Sequence, residues 1–566
     1  MAENQDKPAT FKRAWALVAP YWRGERRWRG RGLLGLIVAL TLGQVYINVL
    51  LNDWNNAFYN TLQDKNLDGF IHQIEVFTGL AAAYIVAAVY RQYLMQMLHI
   101  DWRGWLTAHI QQKWLAGHAY YRLQVLEKST DNPDQRIADD VDGFTGSTLS
   151  LTIDLMSSVV TLVSFVAILW TLSGAIGFTV MGHEVSIPGY MLWIALLYAL
   201  IGTIITHKIG RKLVGLNYDQ QKLEANFRVA LVRVRTNAES IAFYGGEAAE
   251  GATLTERFGK IVGNWWAIMR KQKQLTWFTA AYSQLANIFP IVIAAPRYFA
   301  GAIPLGGLMQ TSSAFGQVQE SLSWLINVYP SVASWKATLN RLDGFASAIA
   351  SHDETSAMLR TKQDNGLVVS HLQLNKPDGS VLLRDINLTL ARGERLLLTG
   401  PSGAGKTTLL RALAGLWPYG TGQIATANTH LLFVPQTSYL PVGTLRAAMA
   451  YPSATATADD AALAALLTRI GLPDLATQLD TDDNWAQRLS PGEQQKLAFA
   501  RILLQKPDIL LLDEASAALD EPTEARLYDL LIESLPQAAI VSIGHRASLA
   551  QFHTRQMALG GGAAKD

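Results

Sequence analysis

The residues best suited to chemistry lie in the stretch GPSGAGKTT at positions 400–408. It fits the pattern G-x-x-x-x-G-K-[ST], in which glycines allow backbone N–H groups to surround phosphate oxygens. Lys406 can reach the β- and γ-phosphates of a nucleotide, and Thr407 can be a ligand of Mg²⁺. The predicted phosphate-binding residues are Gly400, Pro401, Ser402, Gly403, Ala404, Gly405, Lys406, Thr407 and Thr408. Taken alone, the pattern indicates a nucleotide site, and a chance glycine turn is the alternative.

Two further segments carry groups that could act on a γ-phosphate. The segment ILLLDE is an apolar strand that ends in two carboxylates. Asp513 would hold Mg²⁺, and Glu514 would polarise the attacking water. Just upstream, the signature segment LSPGEQQKLAFAR places Ser490 and Gly492 before a helix that we predict to begin near Glu493. The N-terminus of that helix would attract an anion.

These groups need a scaffold that brings them together. The segment RLLLT at 395–399 is a predicted buried strand directly before the glycine-rich stretch, and a predicted helix from Thr407 follows it. Residues 367–374 and 381–390 are also predicted strands. Short apolar runs that alternate with helices indicate an α/β P-loop nucleotide-binding domain over 366–560.

The residues before this domain have a membrane-protein composition. Hydrophobic residues make up 49% of the chain and charged residues 17%, where soluble proteins carry about 25% charge. Six runs are long and apolar enough to span a bilayer. They are 32–52, about 77–98, about 150–172, 185–206, about 278–297 and about 304–330. The absence of cysteine excludes disulfides and thiolate sites, and a net charge of +2 gives no field that recruits nucleic acid.

Lysine and arginine counts predict the orientation in the membrane. Eight precede the first run, only Lys65 separates the first run from the second, and twelve lie between Lys208 and Lys273. We therefore predict that both termini are cytoplasmic. The connections at about 99–149 and 207–275 are predicted to be long cytoplasmic extensions of the second to fifth membrane helices.

An apolar stripe runs through the basic N-terminal segment. Phe11, Trp15, Val18 and Trp22 recur at helical spacing there. They predict an interfacial elbow helix at the inner headgroups, with a solvated basic tail as the alternative. The predicted divisions of the chain are this N-terminal segment (1–31), a membrane domain (32–345), a linker (346–365), the nucleotide-binding domain (366–560) and a disordered tail (561–566).

Across its nucleotide-site segments the sequence resembles an ATP-binding cassette (ABC) transporter. The signature segment, the ILLLDE strand, ASAALD and GHR follow each other in the family's order, and FVPQT matches its glutamine loop. The resemblance implies ATP and Mg²⁺ as ligands, with Thr407, Gln436 and Asp513 at the metal. It further implies catalytic roles for Glu514, His545 and Gln436, γ-phosphate binding across a dimer by Ser490 and Gly492, and coupling of the two sites by Asp520.

Two positions depart from the family pattern. The signature begins LSPGE instead of LSGGQ, and Pro491 removes one backbone donor. No aromatic residue lies between 366 and 399, where many relatives have a ring that stacks on adenine. Leu374 or Pro377 is the predicted replacement, and the preference for ATP over GTP stays open.

The membrane half resembles the ABC subfamily D type. The segments NAESIAFYGGE and PRYFAGAIPLGGLMQ carry this resemblance, and LNDWNNAFYNTL and TDNPDQRIADDVD are typical of its bacterial BacA/YddA-like branch. The implied fold is an all-α, six-helix, exporter-type membrane domain fused to the nucleotide-binding domain. Helices near 119–127 and 237–246 are the implied coupling helices.

Polar residues recur on one face of the sixth apolar run. They are Gln310, Ser313, Gln317, Glu320 and Trp324, and Gln284 and Asn287 form a similar pair in the fifth run. At membrane depth they indicate a water-filled cavity for large polar cargo or hydrogen bonds between helices. Glu320 would then recognise cargo, or else bond to Arg91 or Arg297.

The sequence thus predicts a multi-pass ATP hydrolase of the bacterial inner membrane that works as a dimer, a homodimer being the simplest form. The BacA/YddA-like resemblance implies import of peptides or other large polar compounds, such as bleomycin- or cobalamin-like molecules. The alternatives are an exporter of drugs, lipids or acyl-CoA, and a membrane ABC ATPase that regulates a partner. The predicted partners are a second copy, the bilayer and the cargo, without nucleic acid.

Overall fold

The computed structural model describes residues 10–127, 132–180, 183–350, 358–363, 366–427, 430–453 and 459–560. The predicted disordered tail and the first nine residues of the N-terminal segment lie outside the described residues. Contacts divide the chain into two compact units. The first unit is Met1–Gln112 with Asn132–Ala346, and the second is Lys113–Asp131 with Ser347–Asp566.

Long helices dominate the first 350 residues. They are α1 (Thr10–Arg23), α2 (Arg27–Gln63), α3 (Leu67–Leu115), α4 (Ala119–Tyr121), α5 (Pro133–Gln135), α6 (Val141–Ser173), α7 (Tyr190–Thr236), α8 (Ala238–Tyr244), α9 (Glu247–Phe299), α10 (Leu305–Asn327) and α11 (Tyr329–Ala350). A 3₁₀ turn (Ala116–His118) and two π-helical segments (Arg122–Glu127 and Arg136–Asp140) lie between them. Helices α3, α7 and α9 each continue far beyond their apolar run, as the predicted extensions require.

Five helical stretches of the described chain are long and apolar enough to cross a membrane. They are Arg27–Gln63, Leu67–Gln124, Pro133–Ser173, Tyr190–Thr236 and Glu247–Phe299. The predicted sixth span corresponds to α10, which has 23 residues but does not reach the same hydropathy. Helix α10 packs against α2, α6, α7 and α9. Its glycines and polar side chains are compatible with a membrane position because neighbouring helices surround much of it.

The predicted fourth span, 185–206, is wrong at its start. Residues His183–Pro188 form strand β2, which pairs antiparallel with β1 (Ala175–Val180). Two glycines with positive φ, Gly174 and Gly189, flank this hairpin, and the Gly189 N–H donates to the Gly174 carbonyl at 2.9 Å. The hairpin therefore ends α6, and α7 begins only at Tyr190.

The N-terminal helix α1 is anchored by a residue outside the predicted stripe. Phe11 and Trp15 are exposed and stack on each other. Tyr21 is fully buried, and its hydroxyl donates to Asp101 of α3 at 2.9 Å. Arg26 also pairs with Asp101, at 3.1 Å. Arg29 of α2 lies 3.7 Å from the same carboxylate, so buried Asp101 joins the first three helices.

Two sheets form the core of the second unit. Its strands are β3 (Met358–Gln363), β4 (Leu367–Asn375), β5 (Val381–Leu390), β6 (Arg395–Thr399), β7 (Gly420–Ala427), β8 (Leu431–Val434), β9 (Gly443–Thr444), β10 (Asp482–Asp483), β11 (Ile509–Asp513), β12 (Ala539–Ile543) and β13 (Arg555–Ala558). A parallel sheet has the order β13-β6-β12-β11-β8, and a second sheet has the order β3-β7-β4-β5. The carboxyl ends of parallel strands meet at one edge, which is where ligands bind in α/β sheets.

The remaining helices of this unit cover the sheets. They are α12 (Lys406–Leu413), α13 (Leu445–Ala450), α14 (Asp460–Arg469), α15 (Trp485–Arg488), α16 (Pro491–Gln505) and α17 (Glu521–Ser534). Short 3₁₀ segments lie at Pro473–Gln478 and Ala547–Phe552. Apolar residues from α16, α17, β11 and β12 share one buried cluster. This packing fixes α16 relative to the parallel sheet.

The segment predicted to be a linker, 346–365, contains regular structure. Helix α11 continues to Ala350, and β3 occupies Met358–Gln363. Strand β3 pairs parallel with β7, and Met358 is buried in the core of this sheet. The polar composition of the segment hid β3 because it is an edge strand with little apolar surface to bury.

Candidate functional site

The glycine-rich stretch 400–408, the phosphate loop, joins β6 to α12. Gly400 has φ +137°, and a Cβ there would lie 1.9 Å from the Leu559 carbonyl oxygen, so only glycine fits. Gly405 has φ +92° and directly precedes α12, which begins at Lys406, one residue earlier than predicted. The Lys406 Nζ donates to the carbonyls of Gly400 and Pro401 at 2.7 and 3.0 Å. The ammonium group is therefore held at the centre of the loop.

A hydroxyl and a carboxylate meet beside the phosphate loop. The Thr407 Oγ1 donates to Asp513 Oδ1 at 3.0 Å. Burial raises the pKa of Asp513, and the neighbouring charge of Glu514 adds to the rise. A hard cation with oxygen ligands would relieve this repulsion, so the donor set fits Mg²⁺. Thr407 and Asp513, two of the three predicted metal ligands, are thus in direct contact.

The three predicted catalytic residues form one cluster, the Glu514 cluster. Gln436 donates from Nε2 to Glu514 Oε2 at 3.1 Å, and His545 Nε2 lies 3.0 Å from Glu514 Oε1. Glu514 has φ +49°, directly after β11, and its N–H donates to the Ile543 carbonyl at 3.1 Å. The end of β12 therefore holds the backbone of Glu514, while two loops hold its carboxylate.

The signature segment begins α16 through a capping box. Ser490 accepts from the Glu493 N–H at 3.4 Å, and Glu493 Oε2 accepts from the Ser490 N–H at 2.8 Å. The Ser490 hydroxyl lowers the pKa of Glu493 by hydrogen bonding to its carboxylate. The helix starts at Pro491, so the predicted start near Glu493 is two residues late. Pro491 is at the first helical position, where its missing N–H costs no intrahelical bond.

Ser490, Gly492 and Asp520 lie apart from the Glu514 cluster. Within the described residues, Ser490 and Asp520 make no hydrogen bond to the phosphate loop or to Glu514. Both are exposed at the surface, Ser490 before α16 and Asp520 before α17. A hydrogen bond from Thr523 lowers the pKa of Asp520. Geometry thus separates the predicted residues into one assembled group and one surface group.

The predicted base platform is wrong for one of its two residues. Leu374 is fully buried in the core of the β4–β5 sheet, so it cannot stack on a nucleotide base. Pro377 is exposed in the turn after β4. A Cβ placed on Gly405 would lie 3.2 Å from Leu382 Cγ and from Leu383 Cγ, so both leucines lie against the phosphate loop.

The predicted coupling helices differ in their surroundings. The first contains α4 and the π-helical turn after it, and Tyr121 packs against the apolar cluster that includes α12. Burial raises the pKa of the Tyr121 hydroxyl, and Arg411 of α12 opposes this rise. The second contains α8, whose Phe243 and Tyr244 are 81% and 90% exposed. These two rings lie at a helix end with almost no cover.

The polar residues on one face of α10 differ in their surroundings. Gln310 is buried, donates to Asp53 at 2.8 Å and accepts from Asn56 of α2 at 2.6 Å, so it joins helices. Glu320 is exposed. Arg297, a candidate partner of Glu320, instead donates to the carbonyls of Leu172 and Ser173 at the end of α6.

The other candidate partner of Glu320 was Arg91. Electrostatically, Arg91 acts on Asp154 of α6. In the described part of the chain, Glu320 forms no ion pair with Arg91 or with Arg297. The carboxylate of Glu320 therefore remains available on the surface of α10.

Comparison with known proteins gives matches over nearly the whole chain. A family model described as ABC transporter transmembrane region 2 matches residues 17–299, and one described as ABC transporter matches residues 383–517. An uncharacterized ABC transporter ATP-binding protein of Haemophilus influenzae is 38% identical, with 97% of this chain and 92% of that protein covered. The inner membrane ABC transporter ATP-binding protein YddA of Escherichia coli is 35% identical, with 94% of each chain covered.

A more distant relative and a solved structure extend these matches. The lysosomal cobalamin transporter ABCD4 of Homo sapiens is 29% identical, with 93% of this chain and 91% of that protein covered. The structure of a bacterial Atm1-family ABC exporter with ATP bound has a TM-score of 0.74 at 19% identity. It covers 95% of this chain, and 94% of its own chain is matched. At that identity the likeness shows a common fold.

Proposed function

Because the chain belongs to the ABC transporter family and is a half-transporter of the D type, we propose that two copies of it import peptides or other large polar compounds across the bacterial inner membrane. ATP binding and hydrolysis drive transport in this family, and half-transporters of this type work as dimers on a transported substrate. The observation that carries the proposal is the Glu514 cluster beside the phosphate loop.

Hydrolysis needs a base, a held nucleotide and charge compensation. Lys406 and the backbone N–H groups of the phosphate loop hold the β- and γ-phosphates. Glu514 orients and deprotonates the attacking water, while Gln436 and His545 fix its two carboxylate oxygens by hydrogen bonds. Mg²⁺, when bound, would supply positive charge at the phosphates, and Thr407, Asp513 and Gln436 are the residues that would hold it.

The surface group, which is Ser490, Gly492 and Asp520, would complete the nucleotide site of a second copy. Ser490 and Gly492 lie at the N-terminus of α16, a helix of 15 residues whose end attracts an anion. In the described part of one chain, Ser490 is exposed and makes no hydrogen bond to the phosphate loop. Facing the γ-phosphate held by a second copy, it would finish that site, which explains why a dimer is needed. Asp520, at the start of α17, would lie near the same interface.

The names of the relatives and the distribution of charge support the proposed cargo, the proposed membrane and the proposed orientation of the termini. Among the relatives one is named an inner membrane protein and another a cobalamin transporter, which supports the inner membrane and a large polar cargo. The eight basic residues before the first apolar run at 32–52 and the twelve from Lys208 to Lys273 support cytoplasmic termini. The exposed Glu320 favours cargo that carries positive charge.

Uptake into cells tests the proposal. Cells that express the chain, its Glu514→Gln variant or neither would receive a labelled cationic peptide or labelled cobalamin. We expect accumulation above background with the unchanged chain alone. Efflux of a preloaded compound would support the exporter alternative. ATPase activity that responds to a partner protein and to no transported compound would support the regulator alternative.

A further inference from the structure

One buried amide links helix α16 to two of the loops that surround the phosphate site. Gln495 is on α16 in the signature segment, and its side chain is 5% exposed. Its Oε1 accepts from the Ala518 N–H at 2.9 Å, and its Nε2 donates to the Gln436 carbonyl at 3.4 Å. Because a backbone N–H only donates and a carbonyl only accepts, these partners fix which way the amide points.

Both hydrogen-bond partners of Gln495 belong to segments that contact Glu514 of the same chain. The side chain of Gln436 donates to Glu514, so the carbonyl that Gln495 contacts belongs to a member of the Glu514 cluster. Ala518 lies in the loop between Glu514 and Asp520, where the Ala517 N–H donates back to the Glu514 carbonyl. Gln495 therefore contacts one member of the Glu514 cluster, Gln436, and the loop that follows Glu514.

The other face of the same helix end points away from this cassette. Ser490 is exposed, whereas Gln495, five residues later, is buried. The first turn of α16 fits closely against the loop, because a Cβ on Gly492 would lie 3.3 Å from the Ala518 carbonyl oxygen. A helix turn is stiff, so a displacement at Ser490 must move Gln495 and both of its partners.

We propose that Gln495 is a positioning residue that couples the two ATP sites of the dimer, an inference that rests on the proposed function. When Ser490 and Gly492 of one copy engage a γ-phosphate on the second copy, Gln495 transmits the movement of α16 to Gln436 and to the 515–520 loop of its own cassette. Each site thereby aligns its Glu514 according to the occupancy of the other.

Three variants of the full-length chain in lipid nanodiscs separate this role from simple packing. Gln495→Met keeps the volume and removes both hydrogen bonds. Gln495→Glu keeps an acceptor for Ala518 and places an anionic oxygen against the Gln436 carbonyl. Gln505→Glu is the matched control, because Gln505 on the same helix donates its amide to the Tyr451 carbonyl at 2.7 Å, far along the chain from either loop.

We expect both Gln495 variants to lower kcat for ATP at least tenfold, with the ATP KM and the nucleotide Kd changed less than twofold. Gln505→Glu should keep the unchanged kcat, and the melting temperatures of all three variants should agree within a few degrees. An unchanged kcat in both Gln495 variants overturns the inference. A parallel loss of kcat and melting temperature relative to Gln505→Glu also overturns it, because it indicates packing.

Mixed dimers decide whether the two sites are coupled. Unchanged and Lys406→Ala chains with different affinity tags are co-expressed, and dimers that carry both tags are purified, so that only the unchanged chain holds ATP and its Gln495 has no γ-phosphate on the second copy to respond to. Local action would leave half of the unchanged rate, whereas coupling should leave less than a quarter. A rate of one half therefore overturns the inference. If the unchanged dimer does not hydrolyse ATP, or if Glu514→Gln does so normally, the proposed function itself fails.

Discussion

At the scale of single residues, Glu514 is the best-supported candidate for the general base, because both of its carboxylate oxygens have hydrogen-bond partners. Gln436 and His545 hold them at 3.1 and 3.0 Å. A carboxylate fixed in this way keeps one orientation relative to the phosphate loop, as a general base requires. Lys406 has a separate role, since its ammonium group contacts the loop carbonyls and not Glu514.

We predict that Glu514→Gln abolishes turnover and preserves ATP binding. The amide keeps the shape of the side chain but cannot accept a proton, and a positioned general base contributes about 10²–10⁴-fold. ATP hydrolysis and nucleotide affinity of the purified chain are the measurements. Lys406→Ala is the contrasting variant, and it should weaken nucleotide binding because the cation is lost. Near-normal hydrolysis by Glu514→Gln would remove Glu514 from its role.

Single residues of the phosphate loop could be predicted because their chemistry is local. Glycines, a lysine and a threonine at fixed spacing define the loop, and the strand and helix beside it follow from the same segment. Leu374 could not be placed in this way. Whether it faces a ligand or the core depends on the pairing of β4 with β5 and β7, which sequence spacing does not encode.

Among the secondary-structure elements, α11 is joined to the segment directly before α6 by a buried ion pair. Asp140 is 4% exposed and accepts from Arg136 at 2.5 Å and from Arg341 of α11 at 2.5 and 2.9 Å. Burial would raise the pKa of Asp140, but the hydrogen bonds from Arg341 and Arg136 outweigh burial and leave the pKa below its usual value. Helix α11 directly precedes the second unit, so this group fixes the exit of the membrane unit.

We predict that Asp140→Asn destabilises the membrane unit by about 3 kcal/mol at neutral pH, because it leaves two arginines without their shared charge. The folded pKa is depressed, so the contribution is present above the unfolded value of about 4 and disappears as pH falls through the folded pKa. Thermal unfolding at pH 7 and at low pH measures the difference. Asp139→Asn, at an exposed neighbour, is the control. An equal penalty at every pH would contradict the ionic explanation.

The elements that sequence patterns predicted best are the long apolar helices and the buried parallel strands. Both have a strong period, or a long run of one residue type. The β1–β2 hairpin was missed because residues of β2 were counted into the apolar run 185–206, and β3 was missed because its pairing partner is distant in the sequence. Strand β3 is stabilised by β7, which lies about sixty residues further along the chain. The capping box at Ser490 was also visible in the sequence, as a serine three residues before Glu493.

At the scale of the whole molecule, the end of α8 carries two large exposed rings. Phe243 and Tyr244 are 81% and 90% exposed on a connection that charge counting assigns to the cytoplasm. Large exposed rings side by side are typical of interaction sites. Burial of both rings against a cassette would transmit its movement to α7 and α9, which flank α8 in the sequence.

We predict that Phe243→Ala with Tyr244→Ala uncouples hydrolysis from transport. Basal ATPase activity and melting temperature should stay near those of the unchanged chain, because the rings support nothing within one copy. Transport should fall at least tenfold, since losing two anchoring rings costs about 2 kcal/mol or more. ATPase and uptake are measured on the same preparation. Tyr218→Ala, at a 70% exposed ring of α7, is the control. Normal transport by the double variant would exclude a coupling role for α8.

The last prediction concerns the carboxylate that Glu320 places on the surface of α10. A charge at membrane depth costs at least about 2.5 kcal/mol unless it meets water or a partner. Arg297 is engaged by the end of α6, so a bond between helices does not account for Glu320. We therefore propose that Glu320 faces an aqueous cavity that attracts basic cargo.

Glu320→Gln should therefore keep the fold and the basal ATPase activity, because the amide has nearly the same shape. It should reduce uptake of a cationic peptide at least fivefold more than uptake of a neutral one, because a charge-assisted hydrogen bond contributes about 1.5 kcal/mol or more. Glu533→Gln, at an exposed position of α17, makes the same charge change far along the chain and should affect neither cargo. The melting temperature and the uptake rates of the two peptides distinguish cargo selection from a structural role of Glu320. Equal loss for both peptides, with a lowered melting temperature, would mean that Glu320 stabilises the bundle and does not select cargo.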